Sequence, residues 1–378
     1  MDKLYLDHAA TAPPSEVALK AFQDAAEHQY ANPGSLHQAG ADASRLIESS
    51  RRKILKLLGA NNYNLIFTAT GTESNHLGIQ GYFSPGVCLV GEIEHPASIE
   101  AARDASKNTI SLIPVTPTGQ IDLIKFKEML TSEVSMISIQ WVNNEIGCLQ
   151  PIEKLIALAN TYAPKAHFHV DAIQAAGKLV MHLDNLNIDS LAIAAHKFGG
   201  VRGGAALLCG KHLGLPKPYF TGGGHEKGVR SGTENTMAIA AMAAALEEKH
   251  ITLTKKPNLL HSSRQLLLTK IKEKCEIVLL GPESEAETSG AILTLAIPGI
   301  RAETFLHYLE SKGLYIGSGS ACHGHGHTES ATLKAIKLEK SLRNSVIRLS
   351  ISEAVNDKIV GRIASTMAEA ISFFKENN

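Results

Sequence analysis

Residues 190–197 read SLAIAAHK, an apolar run that stops abruptly at two basic side chains, His196 and Lys197. A half-exposed strand alternates polar and apolar residues, whereas a strand covered on both faces is apolar along its whole length. The run therefore reads as a buried strand. Upstream, LIFT at 65–68, VCLV at 87–90, VSMISIQWV at 134–142 and HFHV at 167–170 read the same way, with stretches of helical period between them. Such alternation from about residue 50 to 210 predicts an α/β domain with a mostly parallel sheet covered by helices on both faces.

Beyond a glycine-rich connector at 222–232 the pattern changes. Helices are expected over 233–250 and 258–275, strands over 276–280, 291–297 and 346–351, and a helix over 301–312. A last amphipathic segment near 356–375 puts Ile359, Ile363, Met367, Ile371 and Phe374 on one stripe. This is the pattern of a smaller α+β domain. The expected division is a large domain over 15–250 and a small one formed by 1–14 together with 251–378.

A chain of 378 residues, 44% hydrophobic, is long enough for about two domains. Lysine plus arginine and aspartate plus glutamate each number 37, so no charge excess argues for nucleic acid as a partner. The N-terminus lacks the plan of a signal peptide, and no apolar run approaches the roughly 20 residues needed to span a bilayer. A cytoplasmic protein without membrane contact is expected. The five cysteines are odd in number and scattered, which fits reduced thiols. Cys88 and Cys209 sit in apolar runs and read as small buried hydrophobes. Cys322 alone sits in a Gly/Ser loop, GSGSACHGHGHTES at 317–330, beside His323, His325 and His327. Composition there fits a metal site, a nucleophile or a solvated loop equally well.

In a parallel α/β sheet, ligands bind outside the carboxyl ends of the strands. After LIFT comes Ala69-Thr-Gly-Thr-Glu-Ser-Asn-His, where a Gly71-Thr72 pair at a helix start offers free N–H groups and a hydroxyl to a phosphate, or simply an N-cap. The strand HFHV ends in Asp171, followed three residues on by Gln174. A buried acid needs a partner, and a protonated pyridine nitrogen is one. Lys197 at the next strand end can be desolvated into an amine able to bond to a carbonyl, although a snorkelling lysine is the plainer reading.

In this order, the Gly-Thr, the Asp-x-x-Gln and the His-Lys resemble the class V branch of fold-type-I pyridoxal phosphate enzymes, specifically the NifS/IscS-like cysteine desulfurases. The likeness runs nearly end to end. It includes YLDHAAT at 5–11, ANPGSLHQAG at 31–40, FTATGTESNHLGI at 67–79, EHPA at 94–97, VNNEIGCLQPI at 142–152, HVDAIQAAGK at 169–178, AHKFGGVRGG at 195–204, GGGHEKGVRSGTEN at 222–235, SGSAC at 318–322 and IRLSIS at 347–352.

The resemblance implies pyridoxal 5'-phosphate as cofactor and L-cysteine as substrate. Lys197 would hold the cofactor and then move the substrate's Cα proton. Asp171 would pair with the pyridine nitrogen, Gln174 with the phenolic oxygen, and His95 would stack on the ring and help in proton transfer. Gly71, Thr72 and His196 would hold the phosphate, joined by Thr233 from the other subunit of a homodimer. Asn144, Asn32 and Arg348 would take the substrate carboxylate and neighbouring polar groups. Cys322 would attack the substrate's sulfur and carry it as a persulfide to an acceptor protein, an iron–sulfur scaffold or another sulfur carrier. No residue is assigned to a metal, and the three histidines read as solubilising neighbours of the thiol. Competing readings are a selenocysteine lyase, another class V enzyme, or a non-catalytic sulfur-transfer scaffold.

The chain departs from the family pattern at Ala194, where a phosphate-binding serine is usual, and at Thr70, His76 and Val201. The largest departure is the histidine-rich segment after Cys322.

Overall fold

A computed structural model describes residues 3–107, 109–319, 329–351 and 355–377. The strands are β1 (Leu4–Leu6), β2 (Tyr63–Thr68), β3 (Val87–Gly91), β4 (Ile110–Ile113), β5 (Val134–Gln140), β6 (His167–Asp171), β7 (Ser190–Ala194), β8 (Ala205–Gly210), β9 (Val278–Leu280), β10 (Ile292–Ala296), β11 (Leu314–Ser318) and β12 (Val346–Ser350). The helices are α1 (Glu16–His28), α2 (Gln38–Leu57), α3 (Gly71–Gln80), α4 (Pro96–Ala105), α5 (Leu123–Met129), α6 (Ile152–Tyr162), α7 (Thr236–Lys255), α8 (Leu259–Lys272), α9 (Ala302–Ser311), α10 (Ala331–Ala335), α11 (Lys340–Arg343) and α12 (Asp357–Glu376).

Seven strands form the larger sheet in the order β2-β8-β7-β6-β5-β3-β4. Strands β4, β3, β5, β6 and β7 run parallel, and β5, β6 and β7 are buried at every position. That is why their sequences do not alternate. Strand β8 runs antiparallel to both β7 and β2. Only residues 195–204 join β7 to β8, too few for the crossover of a dozen or more that a parallel return requires.

The fold is α/β with a mostly parallel sheet. Its core holds Phe67, Leu89, Ile137, Ile139, Phe168 and Val170 against helices that include α7. Cys88 and Cys209 are buried in β3 and β8. Helix α7 starts later than the expected 233, because the Asn235 side chain caps it by accepting from Ala238 N, and it runs on to Lys255 instead of stopping at 250.

The second sheet has the order β1-β11-β12-β10-β9. Strand β1 runs parallel to β11, and the remaining pairs are antiparallel. Helices α8, α9 and α12 cover it around Leu293, Leu295, Ile347, Leu349 and Phe305. Of the predicted α12 stripe, Ile363, Met367 and Ile371 are buried, while Ile359 and Phe374 pack at its margin. Among the described residues no helix is long and apolar enough to cross a membrane.

Candidate active site

The chain order of the larger sheet reverses between β3 and β5, and the cleft lies outside the carboxyl ends of the strands. A cavity of about 310 Å³ opens there, lined among others by Gly71, Thr72, His95, Asn144, Asp171, Gln174, His196 and Lys197. Eight residues expected from the sequence to share a site thus share one wall. They come from the ends of five strands, β2, β3, β5, β6 and β7, or from the turns after them.

Helix α3 begins where β2 stops. Its cap, Thr70, accepts from Glu73 N at 3.1 Å, so the first-turn amides of Gly71 and Thr72 face the cavity unclaimed by that cap. A Cβ on Gly71 would lie 2.2 Å from Ile173 Cδ1, so glycine keeps this wall open. Ala194 also lines the cavity, offering a methyl group where a hydroxyl would have been a donor. Glu73 is tied by Arg230 from the connector, Nε to Oε1 at 2.7 Å, which sets its charge against a cation. The buried pair Arg51–Glu226 steadies the approach: Arg51 Nη1 and Nη2 each donate to Glu226 at 2.9 Å, and Glu226 also accepts from Phe67 N at 2.9 Å.

His95 caps α4, with Pro96 next in the chain. Its Nδ1 accepts from Ala97 N at 3.1 Å, which leaves the ring proton on Nε2. Asp171 is 1% exposed, and burial raises its pKa. His95, the amide of Ile173 at 3.0 Å, the Asn75 side chain at 2.7 Å and Lys197 all pull the other way. Lys197 Nζ donates to the carbonyls of Ala9 at 2.8 Å and Ala10 at 2.7 Å. His196 is held neutral, its pKa lowered to about 4 chiefly by burial and then by Lys197.

Gln174 lies at the cavity wall, but its amide is engaged: Nε2 donates to Ala9 O at 2.8 Å, and Oε1 accepts from Lys178. Lys178 was not foreseen. It stands four residues after Gln174, and burial next to Lys197 and Arg348 holds its pKa well below the usual lysine value.

Arg348, on β12, is 1% exposed. It donates to Asn144 O at 2.8 Å and Asp7 Oδ1 at 2.7 Å, while its buried Nε makes no hydrogen bond among the described residues. Asn32 is exposed and accepts from Gly34 N at 2.9 Å, and Thr233 is exposed on the connector; neither lines the cavity. Cys322 lies outside the described residues, as do His323, His325 and His327. The four described cysteines are all buried, with thiol pKa values raised chiefly by burial, to about 12 for Cys88.

The donor set suits a phosphorylated pyridine. Amides at a helix start and a hydroxyl meet an anion, a buried carboxylate meets a protonated ring nitrogen, and an amine stands between them.

The family described as aminotransferase class-V matches residues 4–358. A NifS/IscS protein homologue of Lactobacillus delbrueckii is 34% identical over 361 residues, covering 93% of this chain and 92% of the relative. A cysteine desulfurase IscS of Dictyoglomus turgidum is 32% identical over 357 residues, covering 92% and 89%. Among solved structures, a NifS-like protein from Rickettsia africae superposes with a TM-score of 0.88 at 28% identity, covering 98% of this chain and 99% of that one.

Proposed function

The chain belongs to the class-V aminotransferase family, and from that premise we propose that it is a pyridoxal phosphate-dependent cysteine desulfurase. It would convert L-cysteine to L-alanine and leave the sulfur as a persulfide on Cys322. The observation that carries this reading is the single cavity lined by Lys197, Asp171, His95 and the start of α3.

Gly71 and Thr72 at the start of α3, with His196, would hold the phosphate, and Thr233 of a second copy would join them in a homodimer. Asp171 would face the pyridine nitrogen and His95 the ring. When bound, pyridoxal phosphate supplies a carbonyl for the substrate's amine and a ring that accepts the electron pair left at Cα.

Lys197, oriented by the Ala9 and Ala10 carbonyls, takes the Cα proton. The unpartnered Nε of Arg348 offers a donor toward the substrate carboxylate, beside Asn144. Asn32 would close over the same group. Gln174 meets the phenolic oxygen if its amide exchanges the Ala9 carbonyl for it. The Cys322 thiolate would attack the substrate's sulfur: the S–S bond forms as the Cβ–S bond breaks, the electron pair stays on Cβ, which takes a proton, and Lys197 returns a proton to Cα to give alanine. The persulfide then passes to an acceptor protein in the cytoplasm.

The purified protein is expected to bind pyridoxal phosphate, with a visible absorption band that Lys197→Ala abolishes. Cys322→Ala should retain that band while alanine production from cysteine falls at least about 10-fold. A preparation that stays colourless after adding pyridoxal phosphate counts against the cofactor. Undiminished turnover in Cys322→Ala counts against the persulfide.

A further inference from the structure

Five polar side chains form a continuous hydrogen-bonded file through the buried interior of the larger sheet. His167, His169 and Asp171 alternate along β6 and so point to one face. Ser190 on β7 is the register partner of His169. It bridges the two rings, its Oγ standing 2.7 Å from His167 Nε2 and 2.8 Å from His169 Nδ1. His169 Nε2 lies 3.1 Å from Asn75 Oδ1, and Asn75 Nδ2 donates to Asp171 Oδ2 at 2.7 Å. Ser190, His169 and Asn75 are 0% exposed, Asp171 1% and His167 7%.

Valence fixes the direction of every bond in the file. A carboxylate only accepts, so Asn75 must present its N–H to Asp171 and its oxygen to His169. His169 must therefore carry its proton on Nε2, and burial keeps it from taking a second, with a pKa lowered to about 3. Its bare Nδ1 needs a donor, so the Ser190 hydroxyl points at it. The only proton left for the outer contact is on His167 Nε2. His167 in turn stacks on Tyr82, with ring centroids 4.4 Å apart at 14°. Every donor is aimed toward Asp171, and donors in such a chain polarise one another in a low-dielectric interior.

We infer that His167, Ser190, His169 and Asn75 form a one-way hydrogen-bond relay that holds the Asp171 carboxylate ionised and oriented, making His169 and Asn75 positioning residues. The inference rests on the proposed function, in which Asp171 keeps a pyridine nitrogen protonated. The relay offsets the burial that works against the Asp171 charge. Helix α3 is built around it: Gly78 leaves the space for His169, since a Cβ there would lie 2.5 Å from His169 Cε1.

Two measurements test it on the full chain. Nitrogen NMR of the histidine rings, with or without pyridoxal phosphate, should place the proton of both His169 and His167 on Nε2 and show both neutral at pH 7. A proton on His169 Nδ1, or a charged His169, overturns the relay. With pyridoxal phosphate labelled with nitrogen-15 in the ring, the unmutated protein should show a protonated ring nitrogen. Asn75→Ala and His169→Phe should shift that signal toward the unprotonated form and lower kcat roughly 10-fold with KM little changed. His169→Gln, which keeps a donor toward Asn75, should stay within about 3-fold of the unmutated kcat. An unchanged ring-nitrogen signal in Asn75→Ala overturns the inference even if His169→Phe fails to fold. Failure of the unmutated chain to take up pyridoxal phosphate sinks the proposed function instead, and the proton positions still decide the relay's direction.

Discussion

The two relay histidines should also be visible in the protein's acid stability. Burial lowers the pKa of His167 and of His169 to about 3, against 6.5 for an ordinary histidine. A base held neutral in the fold contributes fully above pH 6.5; below it the unfolded chain binds protons that the folded chain refuses. Each histidine therefore removes about 1.4 kcal/mol of stability per pH unit between 6.5 and 3, or about 2 kcal/mol at pH 5. Asp171 and Glu94, whose pKa values burial raises, act with the opposite sign, so the variant comparison isolates one ring. Between pH 7.5 and 5.0, denaturant unfolding of His169→Gln should lose about 2 kcal/mol less stability than the unmutated protein. Equal losses would mean that His169 is not held neutral.

At this scale the sequence was legible where a charge stood at the end of an apolar strand. Asp171 and Lys197 could be picked out that way. His95 and Asn144 came only from the family resemblance. The relay was missed because HFHV reads as strand filling, and its partners Ser190 and Asn75 are set by strand order and helix placement, which alternation alone does not reveal. Lys178 was missed because only the fold turns it inward, onto Gln174.

Among the elements, α3 joins the relay to the end of the cavity proposed to hold a phosphate. One helix start offers the amides of Gly71 and Thr72, and one turn later Asn75 reaches Asp171. Its seat on the sheet is set by Gly78, where an added Cβ would meet His169 Cε1 at 2.5 Å and Leu207 Cδ1 at 2.9 Å. Alanine favours a helix over glycine by about 1 kcal/mol, but the neighbours are a buried ring fixed by two hydrogen bonds and a core leucine. Overpacking of this kind costs about 1–3 kcal/mol. Gly78→Ala is therefore expected to be destabilised in denaturant unfolding and to bind pyridoxal phosphate more weakly, because α3 must lift as a unit. A stabilised variant with unchanged affinity would show that α3 has slack. Element positions were largely legible from periodicity, since strands such as β5–β7 are wholly buried. The reversal of β8 was not read, although the shortness of residues 195–204 carried the signal.

Across the whole molecule, the first residues bind the two sheets together. Strand β1 pairs with β11 in the second sheet, whereas Ala12 N donates to His196 O at 2.7 Å and Ser15 N to Gly199 O at 2.8 Å, in the loop after β7. Between these anchors, Asp7 meets Arg348, and the Ala9 and Ala10 carbonyls meet Lys197. The placement of Lys197 thus depends on a strand that belongs to the other sheet. Asp7 is the sensitive point, because Arg348 is 1% exposed and already carries one unpartnered nitrogen. Arg348 is buried while the Asp7 side chain is 22% exposed, so removing the acid leaves a largely uncompensated charge and costs about 3 kcal/mol, the low end for a buried pair, whereas replacing both members with apolar groups is often nearly neutral. Asp7→Ala should accordingly lose about that much in denaturant unfolding, and Asp7→Ala combined with Arg348→Met should recover most of it. Were the two losses simply additive, the pair would be uncoupled, and the link between the N-terminal segment and β12 would have to come from β1 pairing alone.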